Sequence, residues 1–311
     1  VLEGFNHMVT GVVLVTGASG FIGVELVKQL EASGYRVISA TRNAGGSNTE
    51  IVRLPAPDEP VEAFERILEN VDHVVHLAAI AHTQLVGATH TYHAVNCVLA
   101  AKLAQAAHKT ISGRFVFLSS IRAQCGSVHE GVALESDLPQ PTDDYGRAKL
   151  AAENEIALAM ERGNYTILRP VLVYGAGVKG NMAMLEKLAA LPVPLPLKSL
   201  AGQRSLLDRA ALCRAIIHSL NEAKTDRGTF IVSDRNPVTV PQILAAIRRR
   251  RGRNPGLFSC PLWILNIAAQ ITGQGDRWKT LNGDLIASSA KLQSTGWKAV
   301  DNPAGYIAEL S

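Results

Sequence analysis

The sequence is poor in aromatics, in paired cysteines and in charge imbalance, and each shortage excludes something. Phe, Trp and Tyr make up 5% of the 311 residues, which leaves few stacking platforms for nucleic acid bases. The formal net charge is only +4, so the composition demands no polyanionic partner. The four cysteines, Cys97, Cys125, Cys213 and Cys260, form no CxxC pair, a pattern that suits a reducing compartment. Nine histidines occur without an HExxH or a paired Cys/His spacing, so no metal site is expected, and His82 and His90 read as surface or substrate-rim residues. Residues 1–7 carry neither the basic region nor the apolar stretch of a signal peptide, and Met8 reads as the natural start. The most apolar late stretch, 261–271, is too short to span a bilayer and begins with a proline. There is no internal repeat and no low-complexity segment. A cytoplasmic protein is expected.

What is present is an apolar run, Val12-Val13-Leu14-Val15-Thr16, that breaks into Gly17-Ala18-Ser19-Gly20-Phe21-Ile22-Gly23 and continues as a helical pattern. Branched apolar residues in a row read as a strand buried on both faces. Glycines then allow a tight turn under the first turn of a helix, where free N–H groups and the positive dipole end attract a pyrophosphate. The spacing is GxxGxxG, and its place between a buried strand and a helix makes it a phosphate cradle rather than an incidental turn. Gly17, Ser19, Gly20, Phe21, Ile22 and Gly23 are therefore cofactor-binding candidates.

Downstream, strands are expected at 36–40, 73–78, 114–118 and 166–169, with helices near 21–33, 61–69, 92–109 and 144–162. This βαβ alternation predicts a doubly wound parallel sheet with its ligand at the carboxyl ends of the strands. Arg42 follows the second strand, and no acid comes before Glu50. An acid there would bond the ribose hydroxyls of NAD, whereas a cation pairs with the 2′-phosphate of NADP, so the cofactor is NAD(P)(H), leaning to NADP(H). The small residues in Leu77-Ala78-Ala79 leave room for the cofactor backbone to pass, and Asn96 either holds local structure beside the cofactor or is an ordinary helix residue. The strand at 114–118 ends at Ser119-Ser120, and Tyr145-Gly146-Arg147-Ala148-Lys149 places a tyrosine and a lysine on one helix face. The ammonium favours the ionised phenol, bringing a group with an unperturbed pKa of about 10 toward the range of a useful base.

The TGASGFIG turn, the LAA stretch, Ser119-Ser120, YGRAK and Leu168-Arg169-Pro170 followed by Val173-Tyr174-Gly175 resemble the extended short-chain dehydrogenase/reductase superfamily over nearly the whole chain. SSIRAQ (119–124), VYGAGVKGNMAML (173–185), LPVPLPL (191–197) and QRSLL (203–207) are similar to its nucleotide-sugar branch of UDP-glucose 4-epimerases and UDP-hexosamine 4-keto reductases. The resemblance implies an α/β, Rossmann-type doubly wound parallel sheet with a smaller mixed α/β substrate lobe. It makes Tyr145 the acid/base on the sugar hydroxyl, Lys149 the ribose-binding residue that tunes it, and Ser120 the partner of the reacting oxygen. Pro170 and Val171 would hold the carboxamide, and Arg122, Asn181 and Arg204 would bind substrate. A guanidinium fork such as that of Arg204 suits phosphate oxygens. Two departures stand out: Leu172 occupies the place of an asparagine common in epimerases, and Ala211 that of an aspartate. Ser120 is followed by Ile121-Arg122 and not by the Asp-Glu pair of the related dehydratases, which argues against dehydration.

The alternation fails after about Gly175, prolines cluster at Pro192, Pro194 and Pro196, and 229–233 reads as a strand returning to the sheet. The expected division is a dinucleotide domain over 9–175 with a returning strand near 228–234, and a substrate lobe over 176–227 and 235–311. Trp278 and Trp297 in that lobe read as core. Arg248-Arg249-Arg250-Arg251-Gly252-Arg253 reads as a cationic last helical turn that complements the dipole, with an anionic membrane surface or a partner as the alternative. Four activities follow from these readings. The first is a UDP-sugar 4-epimerase, the second an NADPH-dependent 4-keto-sugar reductase of surface-polysaccharide synthesis. A non-catalytic NADP-binding sensor is the third, and a reductase of small alcohols or flavonoid-like ketones the fourth. The resemblance implies a UDP-sugar and a second copy of the chain as partners, with helices near 92–109 and 144–162 forming the dimer; no nucleic acid and no integral membrane segment are expected.

Overall fold

The computed structural model describes residues 11–42, 50–80, 92–178 and 180–309, without the side chains of Glu50, Asn181, Asp276 and Arg277. His82, His90 and residues 1–7 with Met8 lie outside the described residues.

Seven strands form one parallel sheet: β1 (Val12–Thr16), β2 (Arg36–Thr41), β3 (Glu50–Arg53), β4 (His73–His76), β5 (Phe115–Leu118), β6 (Tyr165–Pro170) and β7 (Gly228–Val232). Their spatial order is β7-β6-β5-β4-β1-β2-β3. The strand order reverses beside β1, which pairs with β2 through Thr16 opposite Ala40 and with β4 through Thr16 opposite His76. This is the doubly wound Rossmann topology, whose crevice opens at the carboxyl ends of the strands on either side of that reversal. Strand β3, which pairs with β2 from Glu50 to Arg53, is not among the strands expected from sequence. Its four residues, Glu-Ile-Val-Arg, are too short and too charged to show a buried run.

The helices used below are α1 (Gly23–Ala32), α2 (Val61–Ile67), α3 (Leu99–Thr110), α4 (Asp144–Ala159), α5 (Gly180–Ala190), α6 (Arg209–Asn221), α7 (Val240–Arg250) and α8 (Leu262–Ile271). The expected helix over 92–109 is not uniform, because His93–Val98 is a π-helical turn running into α3. Its cause is visible in Asn96, as described below.

By compactness the chain falls into two units. One comprises residues up to Ser119, Ala148–Leu168 and Cys213–Thr229; the other comprises Ser120–Arg147, Arg169–Leu212 and Phe230–Ser311. In the first, Leu14, Phe64, Leu103, Phe115, Phe117 and Ile156 form a core with the alanine face of α3. In the second, Tyr174, Met182, Leu206, Ile243, Ile247 and Ile307 form another. Trp297 is buried there, its indole N–H donating to the Ala211 carbonyl at 3.3 Å, and Trp278 packs on the second core, so both tryptophans serve packing.

The arginine run is the cationic last turn of α7, and Gly252 beyond it takes a left-handed conformation (φ +67°), as the sequence indicates. Within that last turn Arg248 is buried, 3% exposed, and its guanidinium donates to the carbonyls of Ala189, Leu191, Val193, Pro255 and Gly256. Five N–H donors in one rigid fork can serve several carbonyls at once, which an amphipathic pattern cannot disclose. Arg250 and Arg251 pair with Glu186 at 2.7 and 2.9 Å.

Candidate active site

The glycine turn after β1 is built from backbone. Gly17 has φ +71°, a left-handed conformation that a Cβ disfavours, and a Cβ there would stand 3.0 Å from the Ala78 N. Gly23 opens α1 so close to the turn that a Cβ would meet the Gly17 carbonyl oxygen at 2.2 Å. The Gly20 N–H donates to the Gly17 carbonyl at 2.9 Å and closes the turn. The helix end carries no side-chain cap at Ile22, and the Val24 N–H in its first turn donates to the Gly20 carbonyl at 3.1 Å. Glycines where any side chain would clash, beneath an uncapped helix of ten residues, fit a dinucleotide pyrophosphate.

The second wall is pinned to the first by Thr16. Its hydroxyl accepts from the N–H groups of Leu77 and Ala78, both at 3.1 Å, and lies 2.7 Å from His76 Nδ1. With the hydroxyl proton given to Nδ1, His76 carries its own proton on Nε2, which has no partner among the described residues. Complete burial and the neighbouring Lys149 charge pull the imidazole down to about 3, so it stays neutral. The ring stacks on Phe117, with centroids 5.7 Å apart. This network draws the Leu77-Ala78-Ala79 backbone against Gly17, which is why both sides need small residues.

Asn96 is fully buried and clamps the next stretch: its Oδ1 accepts from the Ile80 N–H at 2.8 Å and its Nδ2 donates to the Ile80 carbonyl at 2.9 Å. The π-turn sets this side chain at the right height to satisfy both backbone groups. Arg42, just after β2, is exposed.

Lys149 sits on α4 with 1% exposure, its Nζ donating to the Leu118 carbonyl at 2.7 Å and lying 4.6 Å from the Phe117 ring centroid. Burial pulls its ammonium down to about 7, against the opposing pull of Glu153. Glu153, one turn further on, accepts from the Ser119 hydroxyl. The amine therefore has two anchors at the end of β5, neither legible from the YxxxK spacing. In the second unit, Ser120 accepts from the Arg122 N–H at 3.2 Å and caps the one-turn helix Ile121–Gln124. Arg122 is ion-paired with Asp143, whose other carboxylate oxygen accepts from the Gly146 N–H at 2.7 Å. Asp143 thus stands immediately before α4 and fixes the turn that carries Tyr145, a half-buried residue on the helix face of Lys149.

Pro170 and Val171 are buried, and the Val171 N–H donates to the Val232 carbonyl at 3.1 Å. Arg204 is 9% exposed, its guanidinium donating to the carbonyls of Gly283 at 3.0 Å and Ser127 at 3.5 Å. Asn181 lies on α5 with its side chain outside the described residues. Sequence reasoning missed Thr16, His76, Asp143 and Glu153. The signal for Glu153 was present, since it continues the Tyr145 and Lys149 spacing by four.

Residues 13–232 match the model of the NAD dependent epimerase/dehydratase family. A UDP-glucose 4-epimerase of Vibrio cholerae is 31% identical over 295 residues, covering 92% of this chain and 90% of that protein. A ceramide reductase of Caulobacter vibrioides is 24% identical over 309 residues, covering 94% of this chain and 87% of that protein. Among solved structures, the UDP-N-acetylglucosamine 4-epimerase from Bacillus cereus has a TM-score of 0.76 at 24% identity, over 96% of this chain and 94% of that one; the likeness concerns the fold.

Proposed function

The chain belongs to the NAD dependent epimerase/dehydratase family, and from that premise we propose that it acts at C4 of a UDP-hexose or UDP-N-acetylhexosamine as a 4-epimerase. The reading is carried by the similarity to a UDP-glucose 4-epimerase over 92% of the chain. The residues supply suitable chemistry. A nicotinamide dinucleotide held by the Gly17–Gly23 turn, Lys149, Pro170 and Val171 would supply reversible hydride transfer at C4 of the sugar. Tyr145 takes the O4 proton on oxidation and gives it back on reduction. Ser120, whose oxygen accepts the Arg122 N–H, keeps its own O–H as a donor to the reacting oxygen. In its protonated form Lys149 places positive charge four residues from the phenol and lowers the cost of the phenolate. Arg204, steadied by two backbone carbonyls, directs the rest of its fork to the diphosphate, with Arg122 and Asn181 as further substrate contacts. The substrate lobe is assigned to 176–227 and 235–311, and the working form to a cytoplasmic homodimer.

A second reading, an NADPH-dependent 4-keto-sugar reductase, is favoured by one observation. Exposed Arg42 stands at the end of β2, where a 2′-phosphate would lie.

Denaturing the purified protein and identifying what it releases tests the two. Retained NAD, with interconversion of added UDP-sugar C4 epimers, supports the epimerase. A protein that arrives empty and binds NADPH ahead of NADH favours the reductase. In either case Tyr145→Phe is expected to lower kcat by about 10²–10⁴ with cofactor affinity unchanged; full activity in that variant would sink both.

A further inference from the structure

No residue of α8 is buried. Trp263 is 65%, Ile267 49% and Ile271 80% exposed, and they succeed one another at helical spacing of four on the outer face. Leu265 and Ala269, half-buried, face the body of the protein, and the polar pair Asn266 and Gln270 runs between the two sides. A helix of ten residues is about 15 Å long, half of the roughly 30 Å hydrocarbon core, so it cannot cross a bilayer but can lie along one.

The apolar surface continues onto the adjoining loop. Phe258, 48% exposed, donates its N–H to the Leu195 carbonyl at 3.0 Å and accepts from the Lys198 N–H at 3.1 Å. Leu191 and Val193 lie on that same partner strand of loop, 44% and 52% exposed. Their carbonyls and those of Pro255 and Gly256 are the ones gathered by the Arg248 guanidinium, so the buried arginine holds the two loops side by side.

Cations border this surface. Arg249, Arg251, Arg253 and Lys198 are exposed, and Arg253 reaches the Ala190 carbonyl at 2.7 Å, next to Leu191. Residues 235–275 contain six arginines and no Asp or Glu, and 187–207 contain no acid either; of the six, Arg248 is buried and Arg235 pairs with Asp301 at 3.0 Å. The nearest acid along α5, Glu186, is already paired with Arg250 and Arg251. Aliphatic side chains with one tryptophan and one phenylalanine, rimmed by arginine and lysine, are complementary to acyl chains beneath anionic headgroups. We propose that α8 and the loops clamped by Arg248 form a membrane-docking face that binds the surface of an anionic lipid bilayer.

The test uses the full-length protein without substrate, so that its outcome is independent of the proposed reaction. Co-sedimentation with phosphatidylcholine vesicles containing phosphatidylglycerol should show binding that weakens several-fold as salt rises. The double variant W263D/I267D should lose about tenfold or more in partitioning, and the milder W263S/I267S a smaller part, with melting temperature unchanged. R249E/K198E should abolish the preference for phosphatidylglycerol over pure phosphatidylcholine. Vesicle binding equal in W263D/I267D and the native protein overturns the proposal, as does no binding to anionic vesicles. If the native protein ignores vesicles and W263D/I267D turns a dimer into a monomer in sedimentation, the face joins two copies of the chain and the membrane assignment is wrong.

Discussion

Burying the Lys149 amine costs stability at any pH where the unfolded chain would protonate it. Its ordinary value is 10.5 and burial lowers it to about 7 in the folded protein. Between those values the unfolded chain binds more protons than the native one, so the Lys149 contribution makes stability rise with pH from about 7 toward 10. Lys149→Met should flatten that rise in urea titrations across the interval and should also abolish turnover. An unchanged slope would mean that the amine is fully hydrated. The sequence disclosed Lys149 by its distance from Tyr145, but not its seat. The Leu118 carbonyl and the Phe117 ring that hold it come from β5, about thirty residues away along the chain. Arg204 shows the opposite limit. Its chemistry was legible, but its partial commitment to the Ser127 and Gly283 carbonyls was not, because backbone acceptors leave no mark in sequence.

At the scale of elements, the glycine turn was legible because its constraint is local. Gly23→Ala would press a Cβ to 2.2 Å from the Gly17 oxygen, which is backbone and cannot swing away. The expected cost is roughly 2 kcal/mol or more in unfolding free energy, accompanied by loss of cofactor binding in fluorescence titration. The π-turn at His93–Val98 was invisible by contrast; the Asn96 it carries bonds Ile80, a pairing across sixteen residues. The burial of Arg248 was hidden for a related reason: on α7 it belongs to an exposed-looking basic run, yet five carbonyls, one from the end of α5 and four from two loops, converge on it. Arg248→Met should strand those carbonyls and cost about 3 kcal/mol or more, seen as an earlier transition by near-UV circular dichroism. A melt indistinguishable from the native protein would show that water satisfies them.

For the whole molecule, the binding of a dinucleotide should add stability by mass action, about 2.7 kcal/mol at a hundredfold excess over Kd. Arg42→Ala is expected to weaken NADP(H) by about tenfold and leave NAD(H) as it was, read as a loss of the NADPH-induced shift in melting temperature. Equal shifts in the two proteins would make Arg42 a bystander. Among the described residues no helix is long and apolar enough to cross a membrane, and the ten residues of α8 reach about 15 Å, half of a bilayer's hydrocarbon core. The sequence by itself determined the doubly wound sheet, the cradle at the end of β1 and the Tyr145-Lys149 pair, because strand burial, glycine conformation and helix spacing are written in neighbouring residues. Only the tertiary structure decided that His76 is neutral, that Lys149 is dry, that Arg248 is a clamp and that α8 lies bare. Each of these depends on what distant segments bring to, or withhold from, a side chain, and burial by remote residues has no local signature.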